Sequence, residues 1–233
     1  MVIWLIGLAL LFATFSLPWI LAFARREGRL WQWWLAVAIG GAGLFLTLLV
    51  QPPLQLLYTR ITSPLAAGPL LTRLIIGFGV VLISGIVQEA LKLAAPALLA
   101  RFDRSLRSRA PALGVASGAG FGVVEAVKLV ALPLAAARIM PALAVWERAA
   151  AIAFHCATGA YLGAGVARGR ALEAYGAAAL LHGLVNFSVI LQSFALLDPV
   201  GLEIWVSACA VIALAMALRA NAATTPAGGE NHG

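Results

Sequence analysis

Seven apolar runs, at residues 2 to 24, 31 to 50, 70 to 100, 112 to 133, 145 to 167, 171 to 197 and 199 to 219, constrain this chain more than any other feature. Each is long enough to cross a bilayer core, which takes about 20 helical residues. The runs are continuous and rich in Ala and Leu, unlike the ten-residue alternation of a membrane barrel, and an open sheet cannot satisfy its backbone in lipid. The expected class is all-α: a polytopic integral membrane protein of about seven transmembrane helices. Composition agrees, because 63% of the 233 residues are apolar and 11% charged, whereas a soluble domain of this size buries only about 70% of its unfolded surface. Residues 1 to 220 read as one transmembrane domain and 221 to 233 as a short, polar, disordered tail that includes His232. The first run lacks a basic leader and exceeds the length of a signal-peptide core, so it is expected to be retained. Cys156 and Cys209 sit in separate apolar runs and offer neither a disulfide framework nor a four-Cys zinc site.

The net charge of +7 matters through its placement. Arg25, Arg26, Arg29, Arg101, Arg104, Arg107, Arg109, Arg168, Arg170 and Arg219 fall between spans on one side, and Arg60, Arg73, Arg138 and Arg148 on the other. The positive-inside rule then puts the N-terminus outside and the C-terminus in the cytoplasm, in an inner-membrane, multi-pass protein whose surroundings are lipid; nucleic acid is not an expected partner. All seven Trp, at 4, 19, 31, 33, 34, 146 and 205, lie near span ends, as an interfacial belt requires. Gln51 to Ala67, with three Pro, is expected to be a loop or a segment lying in the outer interface.

Ionisable residues inside spans oppose insertion by about 2.5–3.5 kcal/mol each, so Glu89, Lys92, Glu125 and Lys128 together oppose it by roughly 10–14 kcal/mol before pairing. Gln88, His155, His182 and Asn186 add further polar groups to the same four spans, three to six. At a rise of about 1.5 Å per residue, Glu89, Glu125, His155 and His182 all lie roughly 18–24 Å from the Arg that ends each span. Four helices therefore bring two carboxylates and two imidazoles to one layer, in a functional centre spanning 70 to 197. Gly114, Gly118 and Gly122 on one helix, and Gly159 and Gly163 on another, recur every four residues and allow close approach. Lys92 and Lys128 read as intrahelical supports for Glu89 and Glu125. Glu147 and Arg148 read as an interfacial pair, and Ser84, Thr158 and Ser188 as hydroxyls bonding their own helices.

In order, QEALK at 88 to 92, FGVVE at 121 to 125, ERAAAIAFH at 147 to 155 and HGLVN at 182 to 186 resemble the motifs of the PrsW and YhfC groups of intramembrane proteases. These are relatives of the CAAX prenyl protease and bacteriocin-processing superfamily. The resemblance covers spans three to six, about half the chain. It implies an endopeptidase that cleaves a membrane protein or membrane-anchored peptide, with Glu89, Glu125, His155, His182 and Asn186 catalytic and Gln88, Lys92 and Lys128 supporting. One position departs from the pattern: Gln88 stands where the family has the first Glu of a pair. If that position is the water-activating base, the chain is an inactive relative; if the second is, Glu89 keeps it.

Two chemistries suit the residue types. Without metal, Glu89 and Glu125 activate water while His182 and Asn186 stabilise the oxyanion. With Zn²⁺, His155, His182 and Glu125 hold the ion and the remaining Glu is the base. A proton- or cation-coupled transporter using a Glu/Lys/His relay is the rival from another class, and a haem protein with two axial His a third.

Overall fold

A computed structural model describes residues 12–24, 30–137 and 142–224. Within them the chain is helical apart from short connections and contains no strand. A wide helical turn at Phe12–Ser16 leads into α1 (Leu17–Ala24), followed by α2 (Leu30–Thr62), α3 (Leu70–Phe102), α4 (Ala110–Ala137), α5 (Ala142–Arg168), α6 (Ala171–Ser193) and α7 (Pro199–Ala222). Six of these helices, α2 to α7, are long and apolar enough to cross a membrane. The protein is an all-α, multi-pass membrane protein. The beginning of the first expected span, the Arg25 to Arg29 loop, Arg138 and the end of the tail with His232 lie outside the described residues.

Burial ranks the helices. The apolar windows of α4 and α5 are 83% and 72% enclosed by protein, against 22% for α3 and 33% for α7. The two enclosed helices therefore form the centre, and the others present apolar flanks such as Leu49, Leu71, Ile75, Val211 and Ile212 outward, as lipid contact requires.

Small residues set how closely the central pair approaches. A Cβ added at Gly114 would fall 1.9 Å from the Gly159 carbonyl oxygen, one at Gly118 2.0 Å from that of His155, and one at Gly163 2.0 Å from that of Ala110. Only a hydrogen fits in those places, so the glycine periodicity does bring α4 and α5 into backbone contact. Gly85 does the same for α3 against α6, where a Cβ would lie 2.2 Å from the Ala179 carbonyl oxygen.

One expectation fails at α2. Gln51 to Ala67 is neither loop nor separate interfacial segment up to Thr62: the helix continues through Pro52 and Pro53. Each proline removes its N–H donor and crowds the carbonyl four residues back, which disfavours a helix interior, but its φ is helical, so the turns that follow can form where other bonds hold them. Gln51 and Gln55 hold the extension to α3: their Nε2 atoms each donate to Ser84 Oγ at 3.0 Å, and Gln55 Nε2 also donates to the Val80 carbonyl. Ser84 thus accepts from a neighbouring helix, where its own backbone is the partner expected from sequence. Ser188 does bond its own helix, donating to the Val185 carbonyl.

Pro96 inside α3 cannot donate to the Lys92 carbonyl. Ser117 on α4 does so instead, its Oγ donating to that oxygen at 3.0 Å, so the gap in one helix becomes a bond between two.

Candidate active site

Four helices converge on a buried polar cluster. Glu89 and Lys92 project from one face of α3, Glu125 from α4, His155 and Thr158 from α5, and His182 from α6. Glu89 and Lys92 have no solvent exposure, and His155, Thr158 and His182 are all buried.

Lys92 is the hub. Its Nζ lies 2.5 Å from Glu89 Oε1, 2.7 Å from Thr158 Oγ1 and 3.0 Å from His155 Nδ1. With Lys92 charged, its three N–H donors meet three acceptors and none is left over. His155 then accepts at Nδ1 and donates from Nε2 to Glu125 Oε2, 2.9 Å away. His182 Nδ1 lies 2.5 Å from Glu89 Oε1, and the two imidazole rings stand 5.4 Å apart between centroids. Phe154 packs edge-on against both rings and Phe121 lies beside His155, so the cluster is walled by aromatic carbon.

The two carboxylates differ. Glu89 Oε1 is shared by Lys92 and His182, while its Oε2 is buried without a partner among the described residues. Glu125 is the more open, its side chain 19% exposed. Arg148 reaches it from one side: Nη1 lies 3.9 Å from Glu125 Oε2 and is itself buried without a hydrogen bond among the described residues, while Nη2 and Nε bind Glu147. The expected Glu147–Arg148 pair forms, but the guanidinium turns inward, away from the interface. Glu203 on α7 is also buried, with Oε2 unpaired.

Glu89, Glu125, His155 and His182, expected at one depth, come together in the structure, with Lys92 on Glu89. Three supporting or catalytic candidates lie elsewhere. Lys128 is exposed and forms no ion pair among the described residues; Glu125 takes His155 and Arg148 as partners, because its face turns into the bundle while Lys128 turns out. Gln88 points to α2, where its Nε2 donates to Gln51 Oε1 at 3.0 Å. Asn186 is half-buried one turn beyond His182 and makes none of the cluster's hydrogen bonds. Thr158 and Arg148 join the site without being expected there, although each shares a helix face with His155, three residues after it and seven before it.

The metal-ligand geometry also differs from expectation. Glu89, His155 and His182, rather than Glu125 with the two His, offer ligand atoms within 4.8 Å of one another. Most of the candidate atoms are already engaged: both His155 nitrogens, His182 Nδ1 and Glu89 Oε1 carry hydrogen bonds, Glu89 Oε2 carries none among the described residues, and the Lys92 ammonium sits against two of the three residues. A divalent ion would have to displace that ammonium against like-charge repulsion, so the set does not fit a resident zinc as it stands.

No protein-family model, curated protein or solved structure matches the chain.

Proposed function

We propose that this protein is an inner-membrane endopeptidase that hydrolyses a peptide bond of a membrane protein or membrane-anchored peptide by metal-free, carboxylate-activated water. The observation that carries the reading is the hydrogen-bonded cluster of two carboxylates and two imidazoles from four helices, buried in aromatic surroundings. The resemblance of the four motifs to PrsW- and YhfC-type proteases supports it from the side of sequence.

Glu125 is the general base in this reading. It is the more open carboxylate, and His155 Nε2 fixes its Oε2. Glu125 takes a proton from water, the resulting hydroxide oxygen bonds to the scissile carbonyl carbon, and the carbonyl π pair moves onto oxygen. Arg148 Nη1, buried beside Glu125 and without a hydrogen bond among the described residues, is the donor best placed for that oxyanion, a role expected of His182 and Asn186 from sequence. Collapse breaks the C–N bond as the proton held by Glu125 passes to the leaving nitrogen. Glu89 and Lys92 act as the fixed ion pair that orients His155 and His182. Because Gln88 bonds α2 and not the cluster, the carboxylate missing at that position does not remove a member of it.

The reading is tested by comparing the N-termini of membrane proteins in cells carrying the wild type and the Glu125→Gln variant. New N-termini within or beside transmembrane segments that vanish with the variant are expected. Identical profiles from equally expressed proteins would overturn the assignment, and proton flux in proteoliposomes lost on the same substitution would favour the carrier, which needs the same continuous network.

A further inference from the structure

At the rim where α3 and α5 end, Ala100, Arg101, Arg104 and Arg107 line an open cavity of about 690 Å³. We infer that this cavity binds the phosphate headgroup of an anionic phospholipid, one acyl chain of which lies along the outer face of α3.

The first support is the placement of the arginines. Arg101 is in the last turn of α3, and Arg104 and Arg107 belong to the short helical turn Arg104–Arg109 that follows. That turn is held by Asp103, whose Oδ1 accepts from Ser105 N at 2.9 Å and Ser105 Oγ at 2.6 Å. Arg107 is anchored too, its Nε donating to the Ala167 carbonyl at the end of α5. Guanidinium groups present planar donor pairs that match phosphate oxygens, and fixing them beforehand lowers the entropy lost on binding.

The second support is apolar and independent of charge. Leu98 and Phe102 stand one turn apart on the same side of α3 and form an exposed apolar patch, Leu98 45% and Phe102 83% exposed. Leu98 precedes Arg101 by three residues, so this patch borders the cavity mouth. A soluble phosphate would use the arginines and ignore the patch, whereas a phospholipid uses both. The positive-inside rule accounts for basic residues on this rim in general, but not for a cavity that collects three of them beside an exposed apolar patch.

The test uses the full-length protein, delipidated in detergent and titrated with phosphatidylglycerol, phosphatidylethanolamine or inorganic phosphate, with bound ligand counted by native mass spectrometry. Wild type should prefer phosphatidylglycerol over phosphatidylethanolamine by about tenfold or more. The Arg101→Gln/Arg104→Gln/Arg107→Gln variant should lose that preference, and Arg60→Gln at the opposite rim should keep it. Equal retention of the two lipids by wild type, or an unchanged preference in the triple variant, would overturn the inference. Inorganic phosphate that binds alone and fully displaces the lipid would overturn the lipid assignment in favour of a soluble anion. If the triple variant does not fold, Arg104→Gln alone should lower the preference several-fold, and no change there is equally fatal.

Discussion

Lys92 has three N–H donors and commits them to Glu89, Thr158 and His155, with no exposure to water. A buried pair broken on one side leaves an uncompensated charge, so Lys92→Met should destabilise the protein by about 3–5 kcal/mol. Adding Glu89→Gln should restore much of that loss, because the carboxylate no longer needs a counter-ion. Thermal unfolding of the three variants in one detergent checks both statements; a double variant as unstable as the single one would show that packing, not charge, is at stake. The Glu89–Lys92 pair is legible from its three-residue spacing. The partners of Glu125 are not, since depth along a helix can be counted from sequence but rotation about its axis is set by packing. Lys128 stands three residues from Glu125 and would serve equally well in an isolated helix; the bundle instead gives Glu125 to His155 and Arg148.

At the scale of helices, glycine separates two classes of position. Gly118→Ala would drive a methyl group to within 2.0 Å of the His155 carbonyl oxygen, so the helices must part and His155 must shift from Glu125. A loss of about 1–3 kcal/mol is expected, with cleavage falling further than stability. Gly176 on α6 meets nothing within 4 Å, and Gly176→Ala should leave activity unchanged and raise stability by up to about 1 kcal/mol. Paired melting curves and cleavage assays distinguish the two. Ser117→Ala strands the Lys92 carbonyl left free by Pro96 and should lower stability by about 1–3 kcal/mol. The four-residue glycine period is plain in the order of residues alone. The course of α2 past Pro52 and Pro53 is not, because what holds those turns is a set of Gln side chains reaching Ser84 and Val80, more than twenty residues away.

For the whole molecule, the alternation of helices puts the Ser63–Leu65 turn and the Arg104–Arg109 turn on opposite sides of the membrane. Reporters fused after Arg107 and after Arg219 should both read cytoplasmic, and one inserted at Ala67 external; agreement between the first and third would break the order of spans. Charge distribution and span length make that layout legible, whereas which helix sits in the middle depends on the density of small residues in α4 and α5. Backbone contact joins α4 to α5 through Gly114, Gly118 and Gly163, and α3 to α6 through Gly85. The four helices that carry the cluster thus pair into two plates. Between the plates run the bonds of Lys92 to His155 and Thr158, the longer contact of Thr158 with Glu89, and Ser117 to the Lys92 carbonyl. Any parting of the plates wide enough to admit an extended peptide must therefore unfasten one lysine, which makes Lys92 the clasp of the molecule as well as its central charge.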